Sequence, residues 1–431
     1  MSFSPALAAY AATVALVSPF AGLWLGRRAS EGKEDRARLP ERFGHYASPR
    51  PAGRLIWLHA ASVGESSVAL LLVEALAARD ASLSFLISSG TKTSADLVAR
   101  RNLAQVRHIY VPLDSASAVR RFLEHWRPDL GVFLESELWP NLILAAEKRR
   151  IPLALVNARM SPKSLARWSR WRAAGARLLK AFSFVAAADA RTAEALSSVR
   201  EKTAPLLGNL KLAAPAPNVD AGARAALAAQ IGARPLWLAA STHEGEDEIA
   251  LEAHRRLLAE HPNALLIIAP RHPDRGEAIA ALAGGAPRRA RFEPIGEAPV
   301  YIADTLGELG LFYDLAPVSL VAGSLIYHLK GHNPIEPARL NSAILTGPHY
   351  ESFQDVFDAM IAANGATVVA TADELAAHVM AHWHDDSARA RHCAAAQSAI
   401  AQGAGALAAT ADQLLALVQA PSNTQAIHAS A

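Results

Sequence analysis

Single carboxylates and cations that follow apolar runs are the residues of this sequence with the clearest chemical use. Glu65 closes the string ASVGE (residues 61–65), which follows an apolar run and opens a helical stretch. A carboxylate in a small-residue turn can act as a general base. The same carboxylate near a helix N-terminus can simply be stabilised by the helix dipole. Both interpretations of Glu65 stay open from its position alone.

Two strings in the second half of the chain suit an anion or a nucleotide. In PRHP (270–273), a rigid turn holds Arg271, whose guanidinium offers a planar fork of donors to phosphate. A surface turn explains that string equally well. In GHNPIEP (331–337), Asn333 precedes a proline as at a helix N-cap, and Glu336 falls in the first turn. The helix N–H groups would suit a nucleotide phosphate, and Glu336 would suit ribose hydroxyls.

The sequence contains no familiar metal or nucleotide-cofactor motif. There is no Walker A string, no GxGxxG after the first strand, no HExxH, no DxD-like pair and no cluster of His and Cys. His59, His243, His272 and His332 each follow or end a strand-like run, where a structural role and ligand contact are both open. The one cysteine, Cys393, excludes an internal disulfide and a Cys-based zinc site. We therefore predict no metal and no cofactor.

Short apolar runs that alternate with helical stretches position these residues. Examples are LIWLHAA (55–61) in the first half and ALLIIAP (264–270) in the second. Strands separated by helices predict parallel sheets built from right-handed βαβ units. The Pro- and Ala-rich string at 213–223 predicts a linker between two such domains. Ligands bind beyond the carboxyl ends of parallel strands, where the polar strings lie, so we expect a cleft between the domains.

Length and composition agree with two domains. The 431 residues exceed one ordinary core, and 51% of them are hydrophobic, which excludes a disordered chain. The 43 Lys and Arg nearly balance the 40 Asp and Glu, for a net charge of +3. That balance argues against a nucleic-acid partner, and anion binding should come from local basic clusters.

The amino end predicts a membrane anchor. Residues 5–26 carry no charge, and a helix of that length spans the ~30 Å hydrocarbon core. Arg27 and Arg28 follow it, so the positive-inside rule leaves the bulk of the protein in the cytoplasm. A crossing helix, an interfacial helix and a buried helix of a soluble domain all remain open. The basic run 163–180, with Trp168 and Trp171, predicts either a solvated helix face or a surface for an anionic amphiphile.

Several strings, taken in order, resemble one enzyme family, the 3-deoxy-D-manno-octulosonic acid (Kdo) transferases of lipopolysaccharide synthesis. The resemblance runs from about Arg27 to about Gly365. It implies a GT-B fold, with two tandem Rossmann-like αβα domains and an N-terminal anchor at the inner membrane. It also implies inverting transfer of Kdo from CMP-Kdo to lipid IVA on the cytoplasmic side, with release of CMP. The strings are RFG, WLHAASVGE, ESELWPN, NARMS, GNLK, ASTHEGEDE, PRHPDR, GELG and GSL…GHNPIEPA…TGPH.

The resemblance also implies roles for individual residues. Glu65 matches the general base of the family, while Glu135 and Lys211 match residues that assist the transition state. The contacts to the CMP of the donor match Pro270, Arg271, Gly307, Glu308, Leu309, Asn333, Pro334, Ile335 and Glu336. The predicted organisation is an anchor (1–28), an acceptor-binding domain (29–214), a CMP-Kdo-binding domain (215–420) and a frayed tail (421–431).

The sequence departs from the family pattern around the predicted nucleotide site. Ala322–Gly323 stands where the family usually has two glycines, and so does Lys330–Gly331. Ser352 replaces a frequent asparagine. These changes remove no polar ligand, but they affect the loops expected to hold the donor.

Two other functions remain as alternatives. One is another GT-B enzyme, such as a nucleotide-sugar epimerase, which would need no anchor. The other is a membrane-tethered protein that binds nucleotide or anionic lipid without turnover.

Overall fold

Two parallel six-stranded sheets, each in a unit of its own, organise the chain. The computed structural model describes residues 4–136, 138–160 and 171–419. Within these ranges the first unit runs to Ala214 and takes up the chain again at Gly403, while the second unit runs from Pro215 to Gln402. Trp168 and the predicted tail at 421–431 lie outside the described residues.

The first unit contains a sheet with the strand order β3-β2-β1-β4-β5-β6. Every paired strand is parallel, and β1, β4 and β5 are buried along their whole length because helices cover both faces. Its strands are β1 (Leu55–His59), β2 (Ser84–Ser89), β3 (Val106–Tyr110), β4 (Leu130–Leu134), β5 (Leu153–Ala158) and β6 (Phe184–Ala187). Its described helices up to Ala214 are α1 (Pro5–Val17), α2 (Ala21–Ser30), α3 (Leu39–Arg42), α4 (Val63–Ala77), α5 (Lys92–Arg101), α6 (Ala116–Trp126), α7 (Pro140–Lys148), α8 (Arg172–Lys180) and α9 (Ala190–Arg200).

The second unit repeats this topology with the order β12-β11-β10-β7-β8-β9, again parallel throughout. Its strands are β7 (Leu236–Thr242), β8 (Leu265–Pro270), β9 (Val300–Ile302), β10 (Val318–Val321), β11 (Ala343–Thr346) and β12 (Thr367–Val368). Its helices are α10 (Ala221–Ile231), α11 (Glu246–Glu260), α12 (Gly276–Leu282), α13 (Leu309–Leu315), α14 (Ile335–Arg339), α15 (Gln354–Ala362), α16 (Ala372–His384) and the start of α17 (Asp386–Gln419). The predicted fold class, two Rossmann-like αβα domains, is confirmed.

Helix α17 corrects the predicted boundary at residue 420. Its first part packs in the second unit, where Cys393 is buried in the core. Its later part belongs to the first unit, because Ala411, Leu414 and Val418 recur at helical spacing and join the apolar cluster that contains Val68 of α4. Residues 403–419 therefore complete the first unit rather than the second.

The amino-terminal helices form the one described segment that could cross a membrane by length and composition. It runs from Pro5 to Ser30, with a mean hydropathy of 1.7 and none of its most apolar 18 residues buried. That exposure contradicts the alternative of a buried core helix. A short 3₁₀ turn begins at Ser18, next to Pro19. After α2, Arg42 forms a buried ion pair with Glu34 at 2.9 Å. Arg42 also donates to the carbonyl oxygens of Gly90 and Val111, which fixes the chain against the sheet of the first unit.

Candidate functional site

In the first unit, the loop after β4 brings together two of the predicted residues. Glu135 follows the last residue of β4 and has a φ of 56°, the left-handed conformation that non-glycine residues rarely adopt. Its Oε1 lies 2.6 Å from Nζ of Lys211, and both side chains are about one-fifth exposed. Strained backbone of this kind concentrates at functional sites, because the surrounding structure must enforce it.

Two asparagines that the sequence analysis did not single out position Lys211. Asn157, in β5, also has a positive φ, and its Oδ1 accepts a hydrogen bond from the Leu210 amide at 2.9 Å. Asn209 Oδ1 accepts from the Lys211 amide at 3.0 Å and caps the short turn Leu210–Ala213. Together they fix the backbone that carries the lysine.

The same asparagines each leave a buried donor. Both side chains are over nine-tenths buried. Neither Asn157 Nδ2 nor Asn209 Nδ2 has a hydrogen-bond partner among the described residues. Buried donors without a partner are rare in folded proteins, so these two mark a place where oxygens of a ligand could bind. The string NARMS carried the only sequence signal for Asn157.

The loop that carries Glu65 lies beside this ion pair. A Cβ built on Gly64 would lie 3.8 Å from Nζ of Lys211, so the lysine side chain packs within van der Waals reach of this loop. The structure thus brings Glu65, Glu135 and Lys211 to the carboxyl ends of β1 and β4. They come from three separate parts of the sequence.

Glu65 also performs the helix-cap role. Its Oε2 accepts from the Ala61 amide at 2.8 Å, and its Oε1 accepts from the Ser62 hydroxyl at 3.0 Å. The Ser62 hydroxyl in turn accepts from the Glu65 amide, which completes a capping arrangement at the start of α4. These bonds orient the carboxylate at the start of α4.

In the second unit, Arg271 follows β8 next to three histidines. Pro270 is the last residue of β8, and Arg271 itself is exposed. Nε2 of His243 lies 2.9 Å from Nε2 of His332, and the ring of His272 meets the ring of His243 edge-on. Burial lowers the pKa of His332 to about 4, with the nearby His243 and Arg271 adding to the effect. His332 is therefore neutral at pH 7.

His59 has a different place, inside the first unit. It is fully buried in β1, and its Nδ1 lies 3.0 Å from the Ser88 hydroxyl. Burial lowers its pKa to about 4, so it is a neutral core residue. The structural interpretation of this histidine is the one the geometry supports.

Glu246 organises the loop after β10 and was not singled out from the sequence. It is fully buried at the start of α11. Its two carboxylate oxygens accept four backbone N–H bonds, from His243, Gly323, Ser324 and Leu325, at 2.8–3.1 Å. The string GSL is therefore held by one carboxylate from a distant part of the chain.

In the string GHNPIEP the N-cap of α14 is Pro334 rather than the predicted Asn333, which closes a turn just before it. Asn333 Oδ1 accepts from the Ile335 amide at 3.0 Å, and its Nδ2 donates to Glu336 Oε1 at 3.1 Å. Burial raises the pKa of Glu336 above its ordinary value, although the hydrogen bond from Asn333 acts in the opposite direction. Helix α14 has five residues, from Ile335 to Arg339, and phosphate binding at its N-terminus stays a prediction.

The string GELG lies at the start of α13, which contacts α14. Gly307 has a φ of 86°, and Leu309 is the first residue of the helix. Glu308 accepts from Arg289 at 2.6 Å and from the Thr305 hydroxyl at 2.5 Å. The hydrogen bond from Arg289 lowers the pKa of Glu308, which stays ionised.

Two departures from the family pattern have structural explanations. Gly323 needs to be glycine, because its φ is positive and a Cβ would lie 2.5 Å from the His332 ring, whereas Ala322 is simply buried in the core. Gly331 likewise has no room for a Cβ beside Tyr350. Lys330 adopts a φ of 67° without being glycine, so the change there costs conformational strain.

The described residues contain no group of three or more His, Cys, Asp or Glu side chains that could hold a metal ion. Each unit has a candidate site of its own: a carboxylate, an ion pair and two buried amides in the first unit, and Arg271, the histidines and the hydrogen-bonded turn at Asn333 in the second.

Sequence comparisons with known proteins agree on one family. A sequence profile described as 3-deoxy-D-manno-octulosonic-acid transferase (kdotransferase) matches residues 37–214. The chain is 34% identical to the 3-deoxy-D-manno-octulosonic acid transferase of Haemophilus influenzae, over 94% of this chain and 97% of that protein. It is 35% identical to a probable mitochondrial 3-deoxy-D-manno-octulosonic acid transferase of Arabidopsis thaliana, over 83% of each chain. A glycosyltransferase structure from Rickettsia africae shares the fold, with a TM-score of 0.55 at 12% identity over 86% of this chain and all of that one.

Proposed function

The chain belongs to the family of Kdo transferases, and from that membership we propose that it is an inverting glycosyltransferase. It moves Kdo from CMP-Kdo to lipid IVA and releases CMP during lipopolysaccharide synthesis. The first unit binds the acceptor and the second binds the donor. The apolar segment from Pro5 to Ser30 holds the enzyme at the cytoplasmic face of the inner membrane.

The observation that carries this proposal is the meeting of Glu65, Glu135 and Lys211 in the first unit. A sugar hydroxyl is a weak nucleophile, so a carboxylate that removes its proton accelerates transfer by about 10²–10⁴-fold. The hydrogen bonds from Ala61 and Ser62 hold the Glu65 carboxylate in one orientation, as a general base requires. It removes the proton of the acceptor hydroxyl as the oxygen attacks the anomeric carbon of Kdo.

Lys211 and Glu135 support charge development around the same reaction. The ammonium of Lys211, held 2.6 Å from Glu135, can stabilise negative charge that grows on the departing CMP phosphate or balance the Kdo carboxylate. Glu135 holds the lysine in place. The free donors of Asn157 and Asn209 could bind oxygens of either substrate.

The second unit supplies groups suited to the nucleotide. Exposed Arg271 can bind phosphate, and Glu336 can accept from ribose hydroxyls. The loops at Gly307–Leu309 and at Asn333–Ile335 supply backbone contacts to CMP. Cations and amide donors are available for the leaving phosphate, so we propose a reaction without a metal ion or a cofactor.

The first experiment incubates the protein with CMP-Kdo and lipid IVA and measures the mass of the lipid product. Glu65→Gln keeps the shape of the side chain but removes the base, so turnover should fall at least ~100-fold with little change in CMP affinity. Glu74→Gln, on the surface of the same helix, is the matched control and should keep full activity. Near-normal turnover of the Glu65 variant would return that residue to the cap role alone.

A second experiment tests the nucleotide site by calorimetry with CMP. Arg271→Ala and Glu336→Ala should each weaken binding about tenfold or more, because a charge-assisted hydrogen bond contributes about 1.5–3 kcal/mol. The exposed Arg255→Ala in the same unit is the control. Unchanged affinity in both variants would move the site elsewhere.

The two alternatives give different results in these assays. A protein that binds CMP and lipid without turnover releases no CMP. A different GT-B enzyme yields no lipid product of increased mass, and deletion of residues 1–28 should leave its activity intact.

A further inference from the structure

The first unit contains an apolar cavity beside Glu135. Its volume is about 620 Å³, within the range of sites that take small ligands. Its buried wall comes from the sheet and the helices packed on it, and Glu135 and Ser136 lie on its lining. The wall residues Leu155, Ala158, Met160, Gly175, Leu178 and Leu196 are all buried.

Helix α1 forms the opposite wall of this cavity. The lining residues Ala6, Ala9, Tyr10 and Thr13 recur at spacings of three and four, so they share one face of the helix. The Tyr10 hydroxyl donates to Asp114 Oδ2 at 2.9 Å. Asp114 also accepts from the backbone of α7, so this bond ties α1 to the rigid part of the unit.

The outer surface of the amino-terminal helices is apolar as well. Leu16, Val17, Phe20 and Leu23 are each more than half exposed, and none of them lines the cavity. The segment that could enter a bilayer therefore lines the cavity near its start and carries exposed apolar side chains, which suit hydrocarbon, further along. Exposed Trp171 lines the cavity as well.

We infer that this cavity binds one fatty acyl chain of the glycolipid acceptor, so that α1 is part of the substrate site as well as an anchor. The inference rests on the proposed function and names a subsite of it. The lining is apolar except at Glu135, Ser136, Tyr10 and Thr13, which suits a hydrocarbon chain attached to a polar head. Because Glu135 and Ser136 border the cavity, a chain seated there holds its sugar near the proposed reacting groups.

The strength of such a subsite follows from the apolar surface that it covers. Each buried methylene contributes about a fourfold gain in affinity. A side chain that displaces only two methylenes should therefore weaken binding by roughly tenfold or more. The effect should depend on the acyl chain and leave the chemistry of the sugar untouched.

The test compares two variants of adjacent residues in α1. Ala9→Phe places a ring in the cavity, whereas Ala8→Phe adds the same ring to an exposed position that does not line it. The probe is lipid IVA with a brominated acyl chain, added to the full-length protein in detergent, because bromine quenches tryptophan at short range. Trp171 serves as the reporter, and Trp171→Phe identifies its share of the signal.

We expect quenching of Trp171 in the unmodified protein and in Ala8→Phe, with at least tenfold weaker lipid affinity in Ala9→Phe. In the transfer assay, Ala9→Phe should raise the KM for lipid IVA by a similar factor and leave the rate with a deacylated acceptor unchanged. Equal quenching curves for the two alanine variants, or quenching that persists in Trp171→Phe, would overturn the inference. If the quenching difference is found without any Kdo transfer, the cavity assignment stands and the proposed function fails.

Discussion

Glu246→Gln should open the loop after β10 without unfolding the second unit. In the structure, Oε1 of Glu246 accepts from the amides of Ser324 and Leu325, and Oε2 accepts from those of His243 and Gly323. Glutamine has one carbonyl oxygen and can satisfy only one of these pairs. Its NH₂ group would face the two remaining N–H donors, and donors do not bond to each other.

The size of the effect follows from those two lost acceptors. A buried donor left without a partner costs about 1–3 kcal/mol, so the variant should lose about 2–6 kcal/mol of local stability. At about 1.4 kcal/mol per tenfold, the equilibrium for loop opening should shift by roughly 30-fold to 10⁴-fold. The change is concentrated at residues 323–325, of which Gly323 lies against the ring of His332.

Amide hydrogen exchange measured by mass spectrometry reads this opening directly. The amides of Gly323, Ser324 and Leu325 should exchange at least 30-fold faster in Glu246→Gln, whereas those in β7 should keep their protection. Glu248→Gln is the matched control, because this exposed residue of the same helix accepts one N–H, from Gly245. Exchange within threefold of the unmodified protein in the Glu246 variant would refute the argument that this carboxylate holds the loop.

Three further predictions concern strain, pH and metal. Lys330→Gly should raise the unfolding free energy of the second unit by about 1 kcal/mol in calorimetry, because it relieves a left-handed backbone, while Gly331→Ala should lower it. Burial lowers the pKa of His254 to about 4, and the ring accepts from Trp237 and donates to Pro299 O, as only a neutral ring can. In the unfolded chain this histidine binds a proton at its ordinary pKa, so the free energy of unfolding should fall by about 3 kcal/mol as the pH is lowered from 6.5 to 4. In urea titrations over this pH range, His254→Gln should show a smaller fall. Kdo transfer to a soluble acceptor analogue should persist in excess EDTA; its complete loss, restored by Mg²⁺, would contradict the proposed metal-free reaction.

The fold was predictable because its signal is local. Strands such as β1 and β4 are buried on both faces, so each forms a short apolar run, and the runs alternate with helices in both halves. The units against which the two ends of α17 pack were not predictable in this way. Its alanine-rich sequence looks the same whichever unit its apolar face contacts, and only tertiary packing distinguishes Leu414 in the first unit from Cys393 in the second.

In the candidate site, too, the features with a local sequence signal were predictable and those that depend on tertiary contacts were not. The Ser62–Glu65 cap and the turn from Asn333 to Glu336 are short-range patterns, and both lie at helix starts as the sequence indicates, although the second helix has Pro334 rather than Asn333 as its N-cap. The left-handed conformation of Glu135 has no local signal, because glutamate adopts it only under tertiary constraint. Asparagine adopts it more readily, but Asn157 lies in β5, where an extended backbone is expected. Glu246 was missed for a similar reason, since three of its four donors lie in a loop from a distant part of the sequence.

The return of α17 to the first unit sets the order in which the chain can be completed during synthesis. About 190 residues of the second unit are made between Ala214 and Gly403, which takes a ribosome roughly 10–40 s. During that interval the apolar surface of the first unit that Leu414 and Val418 later cover is exposed. The second unit lies later in the sequence, yet the ribosome completes its residues before it completes those of the first unit. A nascent chain that stops near residue 402 would thus carry a finished carboxyl-terminal unit and an unfinished amino-terminal one, the reverse of the usual order for two-domain proteins.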